Sequence, residues 1–113
     1  MQRLPKRLVD GSQLSAAAVS YYATPANTLT TISAMSVTNT TGTARTVTVH
    51  LVPGASSASA SNCVCSARTV APGETYNVAG AIGQTLSASG FISALADSAT
   101  ALTLVASGYE TNP

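Results

Sequence analysis

Short stretches in which apolar and polar residues alternate run along most of this chain. Between positions 43 and 54 (TARTVTVHLVPG), two valines and a leucine occupy the odd positions 47, 49 and 51. Two threonines and His50, the only histidine of the chain, occupy the even positions between 46 and 50. A period of two is that of a β-strand with one buried and one exposed face. The pattern therefore predicts a strand in which His50 lies on the polar face, as an ordinary surface residue.

Eight stretches of this kind are separated by residues that favour turns. They cover residues 14–23, 28–39, 43–54, 63–70, 75–79, 84–88, 91–96 and 101–110. A spacing of about ten residues is typical of sandwiches and jelly rolls, and no stretch has a convincing helical period. We therefore expect an all-β fold: one small β-sandwich, Ig-like or jelly-roll, of seven to eight antiparallel strands with an extended N-terminal arm.

Three local features refine this prediction. In residues 28–39 the apolar positions change parity, which indicates a bulge or a strand covered on both faces. The sequence NTTG at 39–42 predicts a hairpin connection to the next strand. The sequence APGE at 71–74 places Pro72 second and Gly73 third, as a type II turn prefers.

The chain divides into three predicted parts. Residues 1–13 form an arm, because Pro5 and Gly11 interrupt regular structure and charge is densest there. Residues 14–110 form the sandwich, and residues 111–113 a C-terminal tail. Three of the five basic residues of the chain lie in the first seven positions.

Composition limits the function classes. At 113 residues the chain is one domain, but close to half of it is Ala, Ser and Thr, so each side chain buries little apolar area. A core this thin favours a homo-oligomer, in which neighbouring copies bury further apolar surface. Charged residues make up 8% and the net charge is +1, which argues against a nucleic-acid partner. No run of about 18 apolar residues and no signal peptide is recognisable, so we expect no membrane partner.

The residues that could carry chemistry do not form a recognisable site. Cys63 and Cys65, two positions apart on a strand, should point the same way, where a disulfide is uncommon and a zinc site would be incomplete. We interpret them as two buried or half-buried thiols of a protein made in a reducing cytoplasm. The four acidic residues fall in turns or near the termini, and no nucleophile elbow or phosphate-binding loop occurs. We therefore expect no enzyme activity, catalytic residue, cofactor, metal or small-molecule substrate.

The arm carries the one candidate binding site. Its basic residues alternate loosely with apolar ones, which suits either a frayed solubilising terminus or a segment that orders on a partner. The candidate partner-binding residues are Arg3, Leu4, Lys6, Arg7 and Leu8.

Three stretches, at 21–54, 70–96 and 102–110, carry a resemblance to a known class of proteins. In strand pattern and texture they resemble small β-sandwich virion proteins of tailed bacteriophages, among them capsid decoration or cement proteins and tail accessory proteins. The resemblance spans roughly residues 12–110 and brings no catalytic or metal motif.

The resemblance implies a non-enzymatic virion protein made in the cytoplasm of a host bacterium. The leading expectation is a capsid decoration or cement protein that forms a trimer, binds the major capsid protein through its arm and stabilises the head. The alternatives are a tail or neck accessory protein, as an adaptor or fibre anchor that contacts other virion proteins, and a surface carbohydrate-binding module.

Overall fold

The chain folds into two antiparallel sheets packed face to face. The computed structural model describes the backbone of residues 2–54 and 56–112 and the side chains of residues 4–54 and 56–111. The five-stranded sheet contains β1 (Gln2–Gln13), β3 (Leu29–Asn39), β6 (Thr75–Asn77), β7 (Thr85–Leu86) and β9 (Leu102–Asn112). The four-stranded sheet contains β2 (Val19–Ala23), β4 (Arg45–Val52), β5 (Cys63–Val70) and β8 (Phe91–Ala96). The all-β sandwich is thereby confirmed.

The order of the strands decides between the two sandwich types that the sequence left open. The sheets run β1-β9-β3-β6, with β7 also on β3, and β2-β8-β4-β5. Leaving aside the two-residue β7, the first strand pairs with the last, the second with the last but one, and so on inwards to β4 and β5. This nested pairing of eight strands is that of a jelly roll.

The core lies between the sheets and is built from the alternating apolar positions. Val47 and Val49 of β4 point into it, as their parity predicts, and are fully buried. Its largest fully buried members come from both sheets and from the segment before β2: Leu14, Ile32, Met35, Ile92, Leu102 and Leu104. Within the described residues no helix is long and apolar enough to cross a membrane.

The predicted arm is extended, and the structure places it within the sandwich as edge strand β1. Strand β1 pairs with β9 from Gln2 to Gln13, and Leu8 and Val9 are buried in the core. The described residues therefore hold nine strands rather than seven or eight, because the arm supplies one. The predicted tail begins within β9, which extends to Asn112, and position 113 lies outside the described residues.

The predicted hairpin at 39–42 is wrong, because β3 and β4 belong to different sheets. The connection crosses from one sheet to the other, and the buried side chain of Asn39 holds it in place. Its Nδ2 donates to the carbonyl oxygens of Thr43 (2.8 Å) and Val70 (2.9 Å). Its Oδ1 accepts from the backbone N–H and the hydroxyl of Thr41.

Two other local predictions are confirmed. The register of β3 against β9 shifts between Ile32 and Ala34, where the parity of the sequence changes. In the 71–74 turn Gly73 has a φ of +74°, as the third position of a type II turn requires. Gly108 of β9 lies opposite the β3 bulge, where a Cβ atom would overlap the carbonyl oxygen of Thr31.

Candidate functional site

The candidate residues of the arm divide between the core and the surface. Leu8 is buried, whereas the Lys6 side chain is 49% exposed and lies over the Tyr22 ring, with 5.8 Å between Nζ and the ring centroid. Leu4 remains 50% exposed, and Arg7 pairs with Asp10 on the surface at 3.1 Å. The side chain of Arg3 lies outside the described residues. Of the described set, Leu8 therefore belongs to the core, while Leu4, Lys6 and Arg7 remain at the surface.

Lys6 belongs to a polar group that joins the two sheets, which we call the tyrosine cluster: Lys6, Tyr22, Thr24, Thr30 and Glu110. The Tyr22 hydroxyl, from β2, donates to Glu110 Oε2 of β9 and lies 2.8 Å from Thr30 Oγ1 of β3. Lys6 Nζ contacts the same carboxylate oxygen at 3.2 Å, and the Thr24 hydroxyl donates to Thr30. The cluster thus fastens β2 of one sheet to three strands of the other.

The pKa values of this cluster follow from its hydrogen bonds. Burial, reinforced by the bond to Glu110, raises the pKa of Tyr22 to about 12. The hydrogen bond from Tyr22, with help from Lys6, lowers the pKa of Glu110. At neutral pH the cluster is a neutral phenol donating to a paired carboxylate, which suits a structural bond rather than proton transfer.

The open edges of the two sheets form a second candidate interface. Among the described strands, β1 pairs only with β9 and β5 only with β4, so each has one edge that no described strand covers. The β1 edge stacks against the β2 side of the sandwich, whereas Arg68 of β5 lies over the Tyr76 ring of β6, 4.5 Å from its centroid. The two long edges are therefore on opposite sides of the molecule.

The sequence predicted His50 as an exposed residue on the polar face of β4, and the predicted exposure is wrong. The His50 side chain is only 9% exposed, because the connection between β4 and β5 folds back over it. Nδ1 of His50 lies 3.0 Å from the carbonyl oxygen of Ser59 and 3.1 Å from Oδ1 of Asn62. The Asn62 amide is itself oriented, since it also donates to the Ser57 carbonyl and accepts from the Ser59 N–H.

These contacts assign the histidine tautomer. The Ser59 carbonyl oxygen and Oδ1 of Asn62 can only accept hydrogen bonds. Nδ1 of His50 therefore carries a proton and donates to both oxygens. In the neutral ring the other nitrogen, Nε2, then presents a lone pair. Nε2 has no hydrogen-bond partner within the part of the chain that the structure describes.

The two cysteines do not point the same way, contrary to the sequence-based expectation. Cys63 pairs with His50 and Cys65 with Val49, because the register shifts at Val64 between them. Neighbouring residues on a strand face opposite sides, so Cys65 joins Val49 in the core and Cys63 joins His50 on the outer face. Burial accordingly raises the pKa of the Cys65 thiol.

His50 and Cys63 line a shallow depression of about 510 Å³ on the outer face of the four-stranded sheet, which we call the histidine pocket. Thr48, Ala60, Val64, Cys65 and Ser66 complete its lining. The Cys63 thiol donates to the Cys65 carbonyl oxygen at 3.3 Å. No group of three or more His, Cys, Asp or Glu side chains suited to a metal occurs among the described residues.

The sequence did not reveal the histidine pocket, because its residues come from two strands and the connection between them and share no periodic pattern or motif spacing. The segment ASSASAS at 55–61 has the composition of a flexible surface loop, yet the Ser57 and Ser59 carbonyls take part in the bonds that cover His50. The one available signal was Asn62, a residue that commonly bonds to nearby backbone in turns.

Comparison with solved structures finds the same fold elsewhere. A chain from Bacillus endospore appendages, described as a novel family of disulfide-linked pili, is similar with a TM-score of 0.60 and 15% identity. That alignment covers 97% of this chain and 88% of the other. A chain from infectious bursal disease virus, Gx strain, gives a TM-score of 0.40 and 14% identity over 96% of this chain and 39% of that one.

The similarity to the endospore appendage chain, at 15% identity, is one of fold. No family model and no curated protein matches the sequence. The chain is thus a small two-sheet β-sandwich structurally similar to endospore appendage pilins, and the expected relationship to phage proteins is not among these findings.

Proposed function

We propose that this protein is a non-enzymatic structural subunit that associates with copies of itself through its open sheet edges. The observation that carries the proposal is the placement of two long edge strands, β1 and β5, on opposite sides of one sandwich. Unpaired strand edges add further strands by backbone hydrogen bonding. Pairing of two unlike edges is heterologous, so it generates rings or open filaments.

The surface of β5 suits such a contact. Its residues 66–69 are all exposed, and Arg68 is the one charged side chain among them. The edges are also guarded, because β1 contains Pro5 and two register shifts and β5 bulges at Ala67, which has a φ of +47°. Bulges and proline prevent indiscriminate pairing, so a partner must match their shape. The fold shared with endospore appendage subunits described as forming pili supports assembly between copies.

The test measures the oligomeric state of the purified chain by light scattering and negative-stain microscopy across a wide concentration range. We expect concentration-dependent rings, filaments or smaller oligomers. Ser66→Lys and Thr69→Lys on the exposed part of β5 should abolish them, because like charges then meet across the contact. The matched control, Ala99→Lys, adds the same charge to an exposed position in the 97–100 connection, away from both edges.

Two outcomes would contradict the proposal. A wild-type chain that stays monomeric at every concentration excludes self-association. Assembly that survives both β5 variants, or is lost equally in Ala99→Lys, places the contact elsewhere.

A capsid decoration or cement role is the finer form of this proposal, supported by the sequence resemblance to phage virion proteins. In this form the subunit lies on the head as a trimer and contacts the major capsid protein. Co-sedimentation with separated phage heads and tails tests it. Saturable binding to heads in numbers comparable with the capsomers is expected, binding to tails alone would favour the tail or neck alternative, and binding to neither would remove the phage setting.

A further inference from the structure

We propose that His50 and Cys63 form a binding site for a monovalent thiophilic metal ion, Cu⁺, at the histidine pocket. The two side chains come from neighbouring strands and are directly paired, His50 on β4 with Cys63 on β5. Directly opposed residues of an antiparallel pair have Cβ atoms about 4.5–5.5 Å apart, so one ion can reach both side chains.

The histidine is prepared in the way that metal ligands usually are. A metal-binding histidine commonly donates its second N–H to a carbonyl oxygen, which fixes the tautomer and the direction of the ring. Here Nδ1 donates to the Ser59 carbonyl and to Asn62, so Nε2 is left with its lone pair and without a partner in the described residues. The ring is more than nine-tenths buried, yet it lines the depression, so a ligand can reach it without rearrangement of the loop.

Cys63 supplies the second donor. Its side chain is partly exposed and its thiol makes a bond to a carbonyl oxygen that a thiolate would release on metal binding. Binding therefore forms an S–Cu and an N–Cu bond and releases one proton from the thiol to solvent, with no change in oxidation state. Thiolate is the soft ligand that selects Cu⁺ over hard cations.

The number of ligands decides which ion fits. Structural zinc sites need four ligands in a tetrahedron, and the described residues offer no group of three or more metal-binding side chains. Cys65, the other thiol, also borders the depression, but it packs in the core and its thiol donates to the Val47 carbonyl oxygen, so it does not complete the set. Two donors, one sulfur and one nitrogen, suit the low coordination number of Cu⁺ and leave Zn²⁺ weakly held.

The experiment titrates the full chain with Cu⁺ under reducing, oxygen-free conditions against a chromophoric Cu⁺ chelator. We expect one ion per chain. His50→Asn keeps an N–H near the position of Nδ1, and therefore the bonds to the loop, but removes Nε2; it should weaken binding at least tenfold. Cys63→Ser should do the same, and the matched control Cys65→Ala should bind like the wild type.

A second readout is independent of the chelator. Bound Cu⁺ should protect Cys63 from alkylation by iodoacetamide, as located by mass spectrometry, and circular dichroism should show each variant to be folded. The proposal is overturned if the wild type takes up no Cu⁺, if His50→Asn binds as tightly as the wild type, or if Cys65→Ala loses as much as Cys63→Ser. Tighter binding of Zn²⁺ than of Cu⁺ would also overturn it.

Discussion

The tyrosine cluster and the histidine pocket are two polar groups of similar size with different uses of their hydrogen bonds. In the tyrosine cluster the phenol, the carboxylate and the ammonium group bond to one another between the sheets. In the histidine pocket one ring nitrogen is anchored to the loop and the other faces an open depression. Polar side chains that use their donors and acceptors on one another stabilise the fold. A side chain that keeps a free donor or acceptor can bind a ligand.

The largest expected effect comes from deleting residues 2–13, which removes Lys6 from the tyrosine cluster and leaves the histidine pocket intact. The deletion also removes Leu8 and Val9 from the core and exposes the edge of β9. Each buried side chain contributes about 1.5–3 kcal/mol, a large share of the roughly 5–15 kcal/mol that stabilises a domain. We expect loss of cooperative thermal unfolding by circular dichroism.

A single substitution on the exposed face of the same strand serves as the control for this deletion. Arg7→Ala on the exposed face of β1 should change the free energy of unfolding by less than about 0.5 kcal/mol. A shortened chain that still unfolds cooperatively near the wild-type temperature would mean that β1 is dispensable, as an independent arm would be.

Tyr22→Phe should destabilise the protein by about 1.5–3 kcal/mol, the range for hydrogen bonds to charged groups. The substitution keeps the ring but removes the bond to Glu110 and the contact with Thr30. Tyr21→Phe is the control, since its hydroxyl accepts a single bond, from the Ser15 backbone N–H, and should cost about 1 kcal/mol or less. Equal losses in urea unfolding would show that the cluster has no special role.

The tyrosine cluster should make the free energy of unfolding depend on pH in both the alkaline and the acidic range. The raised pKa of Tyr22 gives stability that is present below pH 10 and lost as the pH rises from the ordinary pKa of tyrosine, 10.0, to about 12. The lowered pKa of Glu110 gives stability that is present above its ordinary value and lost as the pH falls through the lowered one. Urea unfolding as a function of pH should show both losses.

Tyr22→Phe should flatten the alkaline loss, and Glu110→Gln the acidic one. If the free energy of unfolding differs between the wild type and Tyr22→Phe by the same amount at pH 7 as near pH 12, the phenol is not held neutral by its surroundings.

The smallest expected effect is that of Asn62→Ala in the histidine pocket. Loss of its bonds to His50, Ser57 and Ser59 should cost about 1 kcal/mol, because the groups lie near solvent. Hydrogen exchange should accelerate in residues 56–62 and stay unchanged in β3 and β9. Faster exchange throughout the sheets would mean that the loop supports the whole fold, and Ser61→Ala, at an exposed position of the same turn, serves as the control.

Local sequence determined most of the segments that became strands, with the exception of β1, which the sequence presented as an arm. A period of two within one segment is enough to place Val47 and Val49 in the core, and the positive φ required at Gly73 is a property of that turn alone. The bulge in β3 could likewise be read from its change of parity. These features depend on neighbours a few residues away, which the sequence displays directly.

Tertiary structure decided what lies beside what. The sequence of residues 1–13 does not indicate that β9 is their partner, because the two segments are about a hundred positions apart. Their pairing closes the jelly roll. The loop that buries His50 and the register shift that turns Cys63 towards it depend on contacts across strands. Strand identity is local, but pairing, burial of polar faces and the composition of sites are long-range, so only the folded chain reveals them.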